Sequence, residues 1–216
     1  MSQFLIADDH PLFREALKGA LSAKFEGLEV FESSDFDSTL QVLSEQEDLD
    51  ILLLDLHMPG NGDLYGLIRI REEYPSLPIA VVSGSEDANI VSKVMGYGAM
   101  GSIPKSSSSD DIASAINQIL EGDTWLPKEL KNKVAEIEGE DREIAAQVAS
   151  LTPQQYRVLQ YLHEGLLNKQ IAYELHISEA TVKAHITAIF RKLGVYNRTQ
   201  AVLIAAKLKL EPIEQA

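Results

Sequence analysis

Cysteine is absent from the 216-residue chain, which excludes a disulfide scaffold, a thiolate metal site and a cysteine nucleophile. Also missing is an apolar run of the roughly 20 residues needed to span a bilayer. Runs such as Ile51-Leu52-Leu53-Leu54 fall far short of that length. The N-terminus has neither a basic leading segment nor a long apolar stretch, so it does not read as a signal peptide. Internal repeats, low-complexity tracts and coiled-coil heptads are lacking, since Ser106–Ser109 is too short to count. The expectation is a cytoplasmic chain with no membrane contact. Hydrophobic residues make up 45% and charged residues 24%, ordinary proportions for one or two globular cores.

The net charge of −14 is unevenly spread. Residues 1–125 hold 7 Lys and Arg against 22 Asp and Glu, a net of −15, whereas residues 151–216 hold 8 against 5, a net of +3. An acidic first half and a basic last third predict two domains with different partners, and the basic part is the one able to approach a polyanion.

Through the first 122 residues, short apolar runs alternate with helix-period segments. Phe4–Ala7, Leu28–Phe31, Ile51–Leu54, Ile79–Val82 and Met100–Ile103 read as strands. Segments around 12–24, 36–46, 63–74, 87–97 and 109–121 read as helices. Five such βα units predict an α/β doubly wound five-stranded parallel sheet with helices on both faces. The all-apolar third run suits a central strand. The fifth, with Gly101, Ser102 and Pro104, suits an edge. Residues 123–149, with alternating charges and weak periodicity, read as a linker.

From Leu151 the texture changes. Thr152-Pro153-Gln154-Gln155 combines a cap, a proline at the first helical position and a capping-box glutamine, with Leu151 and Tyr156 spaced for a hydrophobic staple. Asn168, Ser178 and Asn197 are further cap candidates. Helices near 153–164, 169–175, 179–192 and 198–208 predict a small all-α four-helix domain over residues 150–216.

Chemistry gathers where ligands bind in an open parallel sheet, beyond the carboxyl ends of the strands. Asp8 and Asp9 follow the first strand, Asp55 closes the third, Ser83 closes the fourth and Lys105 follows the fifth. Singly, each has a bland reading as a cap, a turn residue or a solvated charge. Together, three carboxylates in one crevice want a cation, and oxygen-only ligands with room for water suit Mg²⁺. Carboxylate, Mg²⁺ and a fixed ammonium are the parts needed to transfer a phosphoryl group onto an aspartate. A phosphatase with an aspartyl nucleophile would want a second acid two residues later, and position 57 is histidine.

Residues 1–122 resemble the receiver domain of bacterial two-component response regulators. The likeness rests on Ile6-Ala7-Asp8-Asp9-His10-Pro11, Leu54-Asp55-Leu56-His57-Met58-Pro59-Gly60, Val82-Ser83-Gly84 and Lys105. It implies Asp55 as phosphoacceptor, Asp9 as a direct Mg²⁺ ligand, Asp8 acting largely through water, and the His57 backbone carbonyl completing the set. Ser83 would turn its hydroxyl toward the phosphoryl group and Lys105 would pair with a phosphoryl oxygen. One departure is Ser102, where the family usually carries Tyr or Phe to relay the signal. Pro104 before the lysine is another.

Within residues 168–193, two helices flank Leu175-His176-Ile177. Val182, Ile186, Ile189 and Leu193 recur at helical spacing and face a core, leaving Lys183, Thr187 and Arg191 outward. By periodicity and charge, this is equally a DNA-reading face or a solvated bundle surface. Gly165 to Ala172, Ile177 to His185, Lys192 to Val195 and Arg198 to Ala201 are similar to the LuxR-type helix-turn-helix of NarL/FixJ response regulators. That likeness implies base contacts from Lys183, Ala184 and Thr187, and phosphate contacts from Lys169, Thr181, Arg191 and Lys192. It also implies dimerisation through Ala201, Val202 and Ala205. The expected partners are double-stranded DNA, a histidine kinase and a second copy on DNA. The alternative is a LuxR-type regulator that binds DNA without phosphorylation, its receiver switch degenerate.

Overall fold

The computed structural model describes residues 2–131 and 138–208. The chain forms two compact units, one running to Arg142 and the other starting at Glu143. Of the segment read as a linker, residues 132–137 lie outside the described residues, as does the tail from 209.

In the first unit β1 (Gln3–Ala7), β2 (Glu29–Ser33), β3 (Ile51–Leu54), β4 (Ile79–Ser83) and β5 (Gly101–Pro104) pair in the order β2-β1-β3-β4-β5, all parallel. The helices between and after them are α1 (Pro11–Ser22), α2 (Phe36–Glu45), α3 (Leu64–Glu73), α4 (Ala88–Gly96) and α5 (Ser109–Leu120). The expected sheet is therefore present, with β3 central and β5 at an edge. Alternation sends Phe4, Ile6, Ile51, Leu53, Ala80, Val82 and Ile103 to one face, where they pack with Leu17 and Leu21 of α1 and Ile112, Ile116 and Ile119 of α5. Every residue of β3 is buried, which is why that run is apolar without alternation.

Helix starts follow from local chemistry. Pro11 opens α1, where a missing N–H costs nothing. Asp35 closes a capping box with Ser38, and Asp87 and Ser108 cap α4 and α5.

The second unit holds the end of α6 (Glu138–Ala149), then α7 (Pro153–His163), α8 (Asn168–Glu174), α9 (Glu179–Lys192) and α10 (Arg198–Leu208). The box at Thr152 and Gln155 forms as read, Leu151 and Tyr156 are both buried, and Ser178 and Asn197 accept from Thr181 N and Gln200 N. Asn168 is not a cap. It is the first residue of its helix, and the cap position is Leu167, whose N–H donates to Gln170 Oε1 at 2.8 Å. Leucine has no acceptor to offer, so only that return bond of a box is made. Ile144 and Val148 of α6 are buried, so the second unit draws its core partly from the segment read as linker. No helix among the described residues is long and apolar enough to cross a membrane.

Before α3 the backbone departs from what the side chain prefers. Asp63 has φ 56° and ψ −117°, the first central position of a type II′ turn, where glycine dominates. Holding a non-glycine residue there costs about 1–3 kcal/mol, against about 0.5–1 kcal/mol for glycine's extra unfolded-state freedom. Asp63→Gly is expected to stabilise the chain by about 1 kcal/mol, raising Tm by about 2–4 °C in thermal unfolding. A fall in Tm would show that the Asp63 side chain contributes more than its backbone strain removes.

Candidate functional site

The strand order reverses between β1 and β3, which opens a crevice beyond their carboxyl ends. Asp8 leaves β1 and Asp55 leaves β3 on either side of it, both buried. Asp55 N donates to Ala7 O at 2.8 Å and Asp8 N to Ser33 O at 3.1 Å, so the sheet itself sets both carboxylates. Lys105, one residue beyond β5, reaches across with its Nζ 2.6 Å from Asp8 Oδ2 and 2.8 Å from Asp55 Oδ2. Its ammonium also lies 4.8 Å from the centre of the Phe13 ring. Burial opposes the charge on Lys105, but the hydrogen bonds it donates to Asp55 and Asp8 and their negative charges outweigh it, and its pKa is held above the usual lysine value. The crevice therefore carries a protonated ammonium between two buried carboxylates.

The reading of Asp9 as a helix cap does not hold here. His10 rather than Asp9 occupies the cap position of α1, and it makes no side-chain cap bond. Its N–H donates to Asp8 Oδ1 at 2.8 Å, while its Nδ1 lies 2.6 Å from Asp9 Oδ1. Asp55 Oδ1 accepts from His57 N at 3.1 Å, and the His57 ring stands 3.9 Å away. Donor atoms of Asp8, Asp9, His10 and Asp55 all lie within 4.8 Å of one another. Such an oxygen-rich set fits a metal ion.

Ser83 ends β4 with a buried hydroxyl that accepts from Ser85 N at 3.0 Å, and its carbonyl accepts from Lys105 N at 2.8 Å. Ser102 is buried on β5, with no aromatic ring in its place. Three contributors escaped the sequence reading. His10 stands inside the quoted motif but carries no assigned role there. Arg14, one turn into α1, donates from Nη1 to Asp8 O at 2.5 Å and faces Glu32. Asn61 is fully buried and clamps the carbonyls of Asp55 and Leu56 at 3.2 and 2.8 Å. Between two glycines it reads as a turn residue. Its fit depends on Gly66, where a Cβ would meet Asn61 Oδ1 at 1.5 Å.

In the second unit α9 buries Val182 and Ile189 and turns Lys183, Ala184, Thr187 and Arg191 to solvent. Thr187 Oγ1 donates to Lys183 O at 3.0 Å, so the hydroxyl proton is used within the helix. Lys169 and Thr181 are exposed in the first turns of α8 and α9. Lys192 stands apart from this set. Its ammonium donates to Ser150 O at 2.5 Å and to Gln155 Oε1 at 2.8 Å, tying α9 to the start of α7.

The face read for dimerisation needs correction. Ala201 and Ala205, four residues apart, are 0% and 5% exposed because α10 packs this side onto α7. Small side chains sit there to let the helices approach. Val202 is half-buried and Leu203, unremarked in the sequence, is 61% exposed.

Comparison with known proteins matches the two units separately. A model of the response regulator receiver domain matches residues 4–117, and one of the bacterial regulatory proteins of the luxR family matches residues 149–205. A Pseudomonas putida glycerol metabolism activator is 45% identical over 213 residues, covering 96% of each chain. The nitrate/nitrite response regulator protein NarL of Escherichia coli strain K12 is 32% identical over 200 residues, 92% of each. The structure of RcsB from Salmonella enterica serovar Typhimurium, bound to promoter rprA in the presence of the phosphomimetic BeF3-, is 27% identical. It matches with a TM-score of 0.57, covering 97% of this chain and 100% of that one.

Removing the bridging ammonium in Lys105→Met leaves two buried carboxylates without their counter-charge. The expected loss is about 3 kcal/mol, partly recovered by millimolar divalent cation, as read from melting temperatures. A Tm unchanged in both conditions would rule out the counter-charge role.

Proposed function

The chain belongs to the bacterial response regulators that join a receiver domain to a LuxR-type DNA-binding domain, and on that premise we propose that a phosphoryl group on Asp55 controls its binding to specific DNA sites. The observation that carries this reading is the single ammonium of Lys105 shared by Asp8 and Asp55 in the crevice. A carboxylate oxygen of Asp55 attacks phosphorus in a phosphohistidine of a partner kinase, or in a small phosphodonor. The bond from phosphorus to the donor breaks, and the leaving group takes up a proton. Lys105 then exchanges the lost Asp55 charge for a phosphoryl oxygen, and the Ser83 hydroxyl gives up Ser85 N to donate to another. A Mg²⁺ ion held by Asp9, Asp55, the His57 carbonyl and, through water, Asp8 would neutralise charge on the transferring group. The receiver is modified once and is not an enzyme with a turned-over substrate; its output is transcriptional.

The output surface is α9. Lys183, Ala184 and Thr187 suit base edges in the major groove, and Lys169, Thr181 and Arg191 suit flanking phosphates. Lys192 acts at one remove, by fixing α9 to Ser150 and Gln155. Val202 and Leu203 of α10 are the residues we assign to pairing with a second copy. The Pseudomonas relative is named an activator, which favours activation over repression here. Ser102 favours one other reading, a regulator whose DNA binding ignores phosphorylation.

Beryllofluoride with Mg²⁺ is expected to tighten promoter binding by the wild type and to leave Asp55→Asn unchanged. Equal affinity with and without the reagent, once its binding is verified, would favour the phosphorylation-independent reading. Arg191→Ala is expected to weaken binding evenly across sequences and to reduce the salt slope by about 1, whereas Lys183→Ala should relax sequence preference. An unchanged salt slope would remove Arg191 from the phosphate contacts.

A further inference from the structure

The stretch after α5 does not leave the first unit as a free linker. Gln118 Nε2 donates to Thr124 O at 2.7 Å. Trp125 N donates to Met100 O at 2.9 Å and Ser102 N to Trp125 O at 3.3 Å, so one residue adds a parallel bridge beyond the β5 edge. The Trp125 side chain packs on the core shared by α1, α5 and the sheet. Leu130 is buried against Val91 of α4, with Ala88, Met95 and Leu126 packed around the pair. Glycine at 101 makes room: a Cβ there would lie 2.6 Å from Ile119 Cδ1 and 3.3 Å from Trp125 O. Residues 124–131 thus form a strap held by β5 on one side and α4 on the other.

A chain of hydrogen bonds leads to the same place from the crevice. Ser83 Oγ accepts from Ser85 N at 3.0 Å, and Ser85 Oγ accepts from Asp87 N at 3.2 Å. Asp87 Oδ1 accepts from Asn89 N at 2.8 Å and Ile90 N at 3.4 Å, capping α4. The next residue, Val91, is the one on which Leu130 rests. Along the sheet, Lys105 N donates to Ser83 O, and Ser102 lies three residues back on the strand that holds Trp125.

We propose that the strap of residues 124–131 is the receiver's output element, taking the part that a ring at position 102 plays elsewhere in the family. The proposal rests on the reading of Asp55 as phosphoacceptor. Drawing the Ser83 hydroxyl toward a phosphoryl oxygen removes the acceptor from Ser85 N, loosens the turn that sets the Asp87 cap, and shifts α4 under Leu130. The backbone bond between Ser102 N and Trp125 O carries any displacement of β5 to the same segment. A side chain at 102 is then unnecessary, because the strap reads the strand through its main chain. The strap is also the last described stretch before α6, whose end is buried in the second unit.

Trp125 is the only tryptophan in the chain, so its fluorescence reports on the strap without labelling. The full chain is titrated with beryllofluoride and Mg²⁺, with binding of the fluoride complex followed independently by fluorine NMR. The expected result is a change in Trp125 emission that tracks binding and is absent in Asp55→Asn. Leu130→Ala, and Leu126→Ala as the milder substitution, should bind beryllofluoride normally yet lose the promoter-affinity response, expected at about fivefold or more in the wild type. Retained binding with a silent Trp125, or an affinity response undiminished in both leucine variants, overturns the strap while leaving Asp55 as acceptor. Absence of beryllofluoride binding by the wild type overturns both.

Discussion

Two carboxylates buried on neighbouring strands and one lysine that reaches both set the terms for the rest of the receiver. Asp8 and Asp55 are placed by backbone hydrogen bonds of the parallel sheet, so neither can retreat from the other. Their repulsion is met by Lys105, which arrives from β5, two strands away from Asp55 in the sheet order. A buried charge network of this kind adds little to stability compared with an apolar core of equal volume. On the proposed reading its use is that it is poised: a phosphoryl group on Asp55 would carry that carboxylate's charge onto phosphoryl oxygens and offer the ammonium a new partner at a fixed position.

The supporting parts follow from that constraint. Arg14 and Asn61 hold the main chain of the loops that carry Asp8 and Asp55, and Gly66 is small because Asn61 lies against it. Ser83 is held in a turn by Ser85 N, with its carbonyl locked to Lys105 N. The hydroxyl and the lysine therefore cannot shift independently. The strained backbone at Asp63 lies in the same loop as Asn61, ahead of α3.

The second unit solves a different problem, presenting a rigid charged helix from a small core. Buried Val182 and Ile189 orient α9, and Lys192 anchors its end to Gln155 and Ser150. The neutral Gln155 serves both the Thr152 box and Lys192. Arg198 is similarly occupied, donating to Leu166 O at 2.7 Å at the end of α7. Lysine and arginine in such a domain are thus divided between holding its shape and meeting a polyanion, and sequence position alone does not divide them.

Hydrophobic period, caps and strand-end polar residues were legible directly, because each depends on neighbours within a few positions. The five strands, the helices around them, the Thr152 box, and the placement of Asp8, Asp55, Ser83 and Lys105 at strand ends all belong to that class. What required the folded chain was every decision that turns on which face of an element meets which partner. Ala201 and Ala205 read as an outer stripe, yet they pack inward, since α10 is rotated by its contact with α7. Lys192 reads as a surface cation and is tied internally; Trp125 and Leu130 read as linker and are seated on β5 and α4. Local pattern specifies elements because its forces act over one or two turns, whereas orientation is settled by long-range burial that no window of sequence contains.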